Sequence, residues 1–147
     1  MHVQIAHVHI ASVSVFEKYT GINLVRWRVL YMLHNLGELT QKGLAELTGL
    51  DGWSITRAVQ PLEAEGYLER KLDPNDNRLT LVRLSPEGRA YYSKLKRRRD
   101  AFQEQALLGI SEEEVAVLTQ LLGRIRSNLE NAVPPKPSVR RAASPAK

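Results

Sequence analysis

The sequence predicts a mainly α-helical fold with one small β-hairpin, on three observations. Apolar residues recur at helical spacing in several segments, most of which open on an Asn, Thr, Asp or Ser suited to cap a helix. One stretch, Tyr67 to Leu84, reads instead as two short strands around the polar connector Asp73-Pro74-Asn75-Asp76-Asn77. The length of 147 residues suits one domain of the usual size, about 100 to 150 residues, and a second full domain is not expected.

The first segment is the difficult one. Val3, Ile5, Val8, Ile10, Val13 and Val15 are β-branched and partly alternate, so propensity alone reads a strand. A helix follows, with Leu24, Trp27, Leu30, Tyr31 and Leu33 at helical spacing, Asn23 as its cap and Gly37 as its stop. Thr40 then caps a short helix carrying Leu44, Ala45 and Leu47, which Gly49 closes before Asp51 caps the next. That next helix turns Ile55, Val59 and Leu62 to one face and ends at Gly66. Two short helices joined by a tight glycine-containing turn are the outline of a helix-turn-helix.

Tyr67 to Leu72 and the run with Leu79, Leu81 and Leu84 form the expected hairpin, or wing. Ser85 followed by Pro86 opens a long helix towards Leu108. Ser111-Glu112-Glu113-Glu114 is a capping box ahead of a last helix with Val115, Leu118, Leu121, Leu122, Ile125 and Leu129 as one apolar stripe. A stripe that long near the end of so small a chain needs a partner. Residues 134–147 are rich in Pro, Ser and Ala without apolar periodicity, as a flexible tail is.

Composition excludes more than it selects. There are no cysteines, which removes disulfides, thiolate metal sites and thiol-based sensing. No apolar run approaches the roughly 18 residues that span a membrane, and Met1 to Ile10 does not read as a signal peptide, so the expected location is the cytoplasm. The net charge is +5, yet Lys136, Arg140, Arg141 and Lys147 lie in the acid-free tail, and setting them aside leaves 17 basic against 16 acidic side chains. A case for nucleic acid therefore has to come from local pattern.

In a helix-turn-helix the second helix enters the major groove with its N-terminal residues towards base edges. With Ile55, Val59 and Leu62 inward, Trp53, Ser54, Thr56, Arg57 and Gln60 face outward, and Thr40 sits at the head of the bracing helix. Arg pairs bidentately with guanine, Gln with adenine, and Ser or Thr with a base or phosphate. Alone, these residues read better as the solvent face of an ordinary helix. The hairpin that follows changes this, because Arg78 at the end of its loop can reach an adjacent minor groove. Asp76 either holds that guanidinium or ties down the loop backbone.

Here the residues resemble a known family. Ile22-Asn23-Leu24-Val25-Arg26-Trp27-Arg28-Val29-Leu30 is similar to the second-helix entry of the MarR family, and Leu39 to Asp51 to its helix-turn junction. Leu62-Glu63-Ala64-Glu65-Gly66-Tyr67-Leu68 resembles its recognition-helix exit, and Asp76-Asn77-Arg78 with Leu84-Ser85-Pro86-Glu87-Gly88 its wing and return. The match runs from about Tyr19 to Asn131. It implies a winged helix-turn-helix over residues 1–133, with a DNA-reading part near 39–85. It also implies a homodimer whose helices near 1–20 and 110–131 form the interface, so that the first segment is helical against its propensity. The expected partner is double-stranded DNA with a pseudo-palindromic operator, and the expected role is that of a repressor.

The resemblance also implies release by a small aromatic carboxylate or phenol, at positions that fall on His7, Trp27 and Tyr31. By residue type alone, Trp27 and Tyr31 read rather as core residues and His7 as a satisfied or exposed histidine. Pro61 departs from the family pattern, since inside the recognition helix it removes one hydrogen bond and bends the helix, at up to about 3 kcal/mol if uncompensated. No metal is expected, because His7 and His9 are two apart and would not share a helix face. No cofactor or catalytic motif is present, so an enzyme is not expected. The competing class is a winged-helix module for protein or RNA, against which stands the joint placement of Arg57 and Arg78.

Overall fold

Local cap chemistry sets most helix boundaries in the computed structural model, which describes residues 1–74, 76 and 78–132; the expected tail at 134–147 lies outside the described residues. The elements in order are α1 (His2–Thr20), α2 (Leu24–Leu36), β1 (Leu39–Thr40), α3 (Gln41–Thr48), α4 (Gly52–Ala64), β2 (Leu68–Leu72), β3 (Thr80–Leu84), α5 (Pro86–Ala106) and α6 (Glu112–Asn131). Contacts divide the chain into two units, Met1–Ala106 and the part from Leu107 onward.

In the first unit, the side chain of Asn23 accepts the Arg26 N–H at 2.9 Å to start α2, and Thr40 Oγ1 accepts the Gly43 N–H at 3.0 Å to start α3. Gly49 then takes φ 69°, a left-handed conformation that a side chain disfavours, and so turns the chain into α4. The helix-turn-helix packs on α2 around Leu30, Leu44, Ile55, Val59 and Leu62, all fully buried. The inward face of α4 is the expected one with Ala58 added. Helix α4 continues through Pro61 to Ala64, with the Pro61 carbonyl accepting the Glu65 N–H at 2.9 Å.

The sheet has three strands rather than two, in the order β1-β3-β2, all antiparallel. Leu39 and Thr40 pair with Val82 and Leu81, a strand too short to show any period in sequence. The register sets which strand residues face inward. Val82 and Leu84 are buried with Leu68, whereas Leu79 is 43% exposed and Leu81 only half-buried.

Helix α1 overturns the reading from propensity and agrees with the resemblance. Propensity differences amount to only tenths of a kcal/mol per residue, and anchoring at one end outweighs them. Phe16 makes edge-to-face contacts with Trp27 and Phe102, Tyr19 with Phe102, and Arg98 Nη1 donates to the Thr20 carbonyl at 3.2 Å. These contacts run α1 antiparallel to α5. By that register Ser12 lies about level with Ala106, and Met1 to Ala11, exposed throughout, extend past the end of α5.

In the second unit, Ser111 and Glu114 form the expected capping box: Ser111 Oγ accepts the Glu114 N–H at 3.2 Å and Glu114 Oε2 accepts the Ser111 N–H at 2.8 Å. No residue of α6 is buried, and Leu118, Leu121, Leu122 and Leu129 stand exposed. No helix among the described residues is long and apolar enough to cross a membrane.

Candidate nucleic-acid interface

The expected reading face is assembled at the start of α4. Asp51 accepts the Ser54 N–H at 2.9 Å and the Ser54 hydroxyl at 2.7 Å, so Ser54 and its cap lock each other. Thr56 donates to the Gly52 carbonyl at 2.9 Å and lies 3.1 Å from Gln41 Oε1, which ties the two helices of the motif together. The hydroxyls of Thr40, Ser54 and Thr56 are therefore engaged within the motif. Trp53, Arg57 and Gln60 remain outward. The Arg57 guanidinium sits over the Trp53 ring, 4.5 Å from its centroid. Arg57 and Gln60 border an open cleft of about 450 Å³ that is also lined by the Asn23 cap and by Arg26 of α2.

The wing resolves the two options for Asp76: its carboxylate accepts the Arg78 backbone N–H at 3.0 Å, so it ties down the loop and forms no ion pair with the guanidinium. Sequence reasoning missed a charge network at the base of the wing. Glu38 pairs with Lys71 at 2.5 Å and Arg83 at 3.4 Å, and Arg83 also meets Glu69 at 2.8 Å. One carboxylate thus links all three strands, with Glu69 directly opposite Arg83 in the register. Arg70 is held by Glu63 of α4 at 2.8 Å. These bases are neutralised, whereas Arg57 and Arg78 form no ion pair among the described residues.

Two carboxylates at this site titrate low. The hydrogen bond from Lys71, helped by Arg83, lowers the pKa of Glu38 from its ordinary 4.5, and the Ser54 N–H and hydroxyl lower that of Asp51 from 3.8. A carboxyl whose folded pKa is depressed stabilises the fold above its unfolded value and ceases to as pH falls through the folded one. The thermal midpoint is therefore expected to fall as pH drops below about 4.5, and Glu38→Gln to shallow that acid slope, as melts between pH 7 and pH 3 will test.

The three expected sensor residues are not gathered in one place. Trp27 and Tyr31 lie one turn apart, with ring centroids 6.4 Å apart. Trp27 is 7% exposed and stacks on Tyr92 at 5.2 Å, as a core residue does, while Tyr31 is 39% exposed. His7 lies nine residues before Phe16 on α1, a rise of about 13 Å from the ring that touches Trp27. Within one chain it does not join them. Among the described residues, no group of His, Asp or Glu is placed to hold a metal.

Known proteins bear on this geometry. A family model for the MarR family matches residues 20–79. The HTH-type transcriptional regulator YdgJ of Bacillus subtilis (strain 168) is 35% identical over 116 residues, 79% of this chain and 71% of that protein. A probable transcriptional regulator from Pseudomonas aeruginosa has the same fold, with a TM-score of 0.80 at 29% identity over 85% of this chain and 96% of that one. A mutant MarR from E. coli, solved in complex with operator DNA, superposes with a TM-score of 0.78 at 23% identity over 84% and 91% of the two chains. Sequence and fold thus agree with the capped reading helix and its wing: the chain belongs to the MarR family of DNA-binding transcriptional regulators.

Proposed function

We propose that this regulator is a cytoplasmic repressor that binds a pseudo-palindromic operator as a homodimer, with α4 in the major groove and the wing at the adjacent minor groove. The observation that carries the reading is the division of charge on the head. Arg70, Lys71 and Arg83 are tied to carboxylates, whereas among the described residues Arg57 on α4 and Arg78 at the wing tip pair with none, so those two guanidiniums would meet DNA without first breaking such a pair. The operator complex of the E. coli relative shows that the fold can dock on DNA. Support for the dimer comes from the exposed leucines of α6 and the exposed stretch of α1 from His2 to Ser12, which has no Asp, Glu, Lys or Arg. Release by a small aromatic carboxylate or phenol would use Tyr31 and the edge of Trp27 as its aromatic wall, with His7 reaching it from the second copy.

Selection of bound duplexes from random sequence tests the reading. It should return two half-sites about one helical turn apart, with affinity that falls steeply with salt. Arg57→Ala should cost about 1–3 kcal/mol and relax preference at one base position per half-site, while Arg78→Ala should weaken binding across sequences or at the A·T-rich edge. Recovery of no duplex by an intact dimer would instead favour a protein- or RNA-binding module. Adding a panel of phenolic acids to the selected complex tests the release.

A further inference from the structure

We infer that Trp53 is a positioning residue for base recognition: its ring holds the Arg57 guanidinium in the orientation that reads the operator. The inference rests on the DNA-docking reading above. Trp53 is a large apolar side chain that is 66% exposed, on the second residue of the reading helix, and it belongs to no core cluster. Among the described residues its ring contact is with Arg57, four residues on, where the helix brings side chains together. A guanidinium within about 6 Å of an indole centroid is attracted by the ring's π-face, and Trp is the strongest of the aromatic partners.

Arg57 needs such a hold. An arginine side chain samples many rotamers in water, and bidentate pairing with one base edge requires the planar fork in a single orientation. No carboxylate among the described residues pairs with Arg57, so the ring supplies direction without cancelling charge. An acid in its place would orient the fork as well, but would repel the phosphates. The contact is also expected to strengthen as the groove excludes water from it, since cation–π attraction grows on desolvation.

The test compares Trp53→Leu with Trp53→Phe on the selected operator, by fluorescence anisotropy. The reading position is first defined as the base pair whose preference Arg57→Ala abolishes. Leucine keeps an apolar side chain but has no π-face; phenylalanine keeps a weaker face. Expected is a loss of discrimination at that base pair of roughly two- to thirty-fold in Trp53→Leu, partly restored in Trp53→Phe. In the Trp53→Leu background, Arg57→Ala should remove less discrimination than it does in the wild type. The melting temperature should stay within a few degrees, as for an exposed site. Discrimination retained in Trp53→Leu, or an Arg57→Ala effect of equal size in both backgrounds, overturns the inference while leaving the docking reading intact. If Arg57→Ala alters preference at no position, the docking reading itself fails and the inference falls with it.

Discussion

Gly88→Ala is expected to abolish stable folding, with a loss of about 4 kcal/mol or more, at the upper end of what single substitutions do. A methyl group built on Gly88 would lie 1.9 Å from the Tyr67 carbonyl oxygen and 2.9 Å from its carbon. Neither side can yield cheaply. The Tyr67 carbonyl accepts the Ser85 N–H at 3.1 Å and the Tyr67 N–H donates to the Leu62 carbonyl at 2.9 Å. Ser85 is 2% exposed, donates its hydroxyl to the Gly66 carbonyl at 2.7 Å and accepts the Gly88 N–H at 2.8 Å. The Tyr67 ring stacks on Tyr91 with centroids 4.0 Å apart, one further turn along α5. This knot joins the end of the recognition helix, the root of the wing and the start of α5, so separating Tyr67 from Gly88 would disturb all three. Chemical denaturation of the variant measures the loss. Gly52→Ala is the control, because its added carbon meets nothing within 4 Å, and it should change stability by less than about 1 kcal/mol. A Gly88→Ala protein as stable as the wild type would mean that α5 can slide on the wing root.

How much of this was legible in the sequence divides along the distance over which each feature is determined. The caps at Asn23, Thr40, Asp51 and Ser111 were readable because a cap and the N–H it accepts are three residues apart. The inward face of α4 was readable because Ile55, Val59 and Leu62 repeat with the helical period. Strand β1 was not, since Leu39 and Thr40 are a strand only by virtue of Val82 and Leu81, some forty residues away. The same pairing makes Val82 rather than Leu81 the inward residue, which no local alternation reveals. Glu38 was missed for the same reason, because its partners Lys71 and Arg83 come near only in the folded sheet. The Trp53–Arg57 contact is a different case: its spacing of four is in plain view, but each side chain on its own reads as facing DNA, and only the folded helix sets the guanidinium over the ring. Helix α1 shows propensity overruled, since the anchoring of Phe16, Tyr19 and Thr20 lies wholly in tertiary contacts.

The apolar side of α6 leads to the second large effect. Leu121→Glu is expected to convert the protein to a monomer and to lower operator affinity by about a hundredfold or more, because the second half-site is then no longer bound intramolecularly. Leu118 and Leu121 are each 46% exposed and Leu122 47%, so a carboxylate at 121 is solvated within a single chain and should not unfold the first unit. In a dimer built on this face the same carboxylate would be buried without a partner, a penalty of several kcal/mol per copy. The capping box at Ser111 and the three glutamates of the first turn keep α6 helical in the variant, so circular dichroism should change little. Analytical ultracentrifugation reads the assembly and anisotropy the affinity. Leu72→Glu is the control, as a comparably exposed leucine at 62% that lies on the wing and outside the proposed interface, and it should leave the dimer intact. A Leu121→Glu protein that still sediments as a dimer would place the two-fold contact elsewhere. One that becomes a monomer and still binds the full operator with wild-type affinity would show that each head reads its half-site alone.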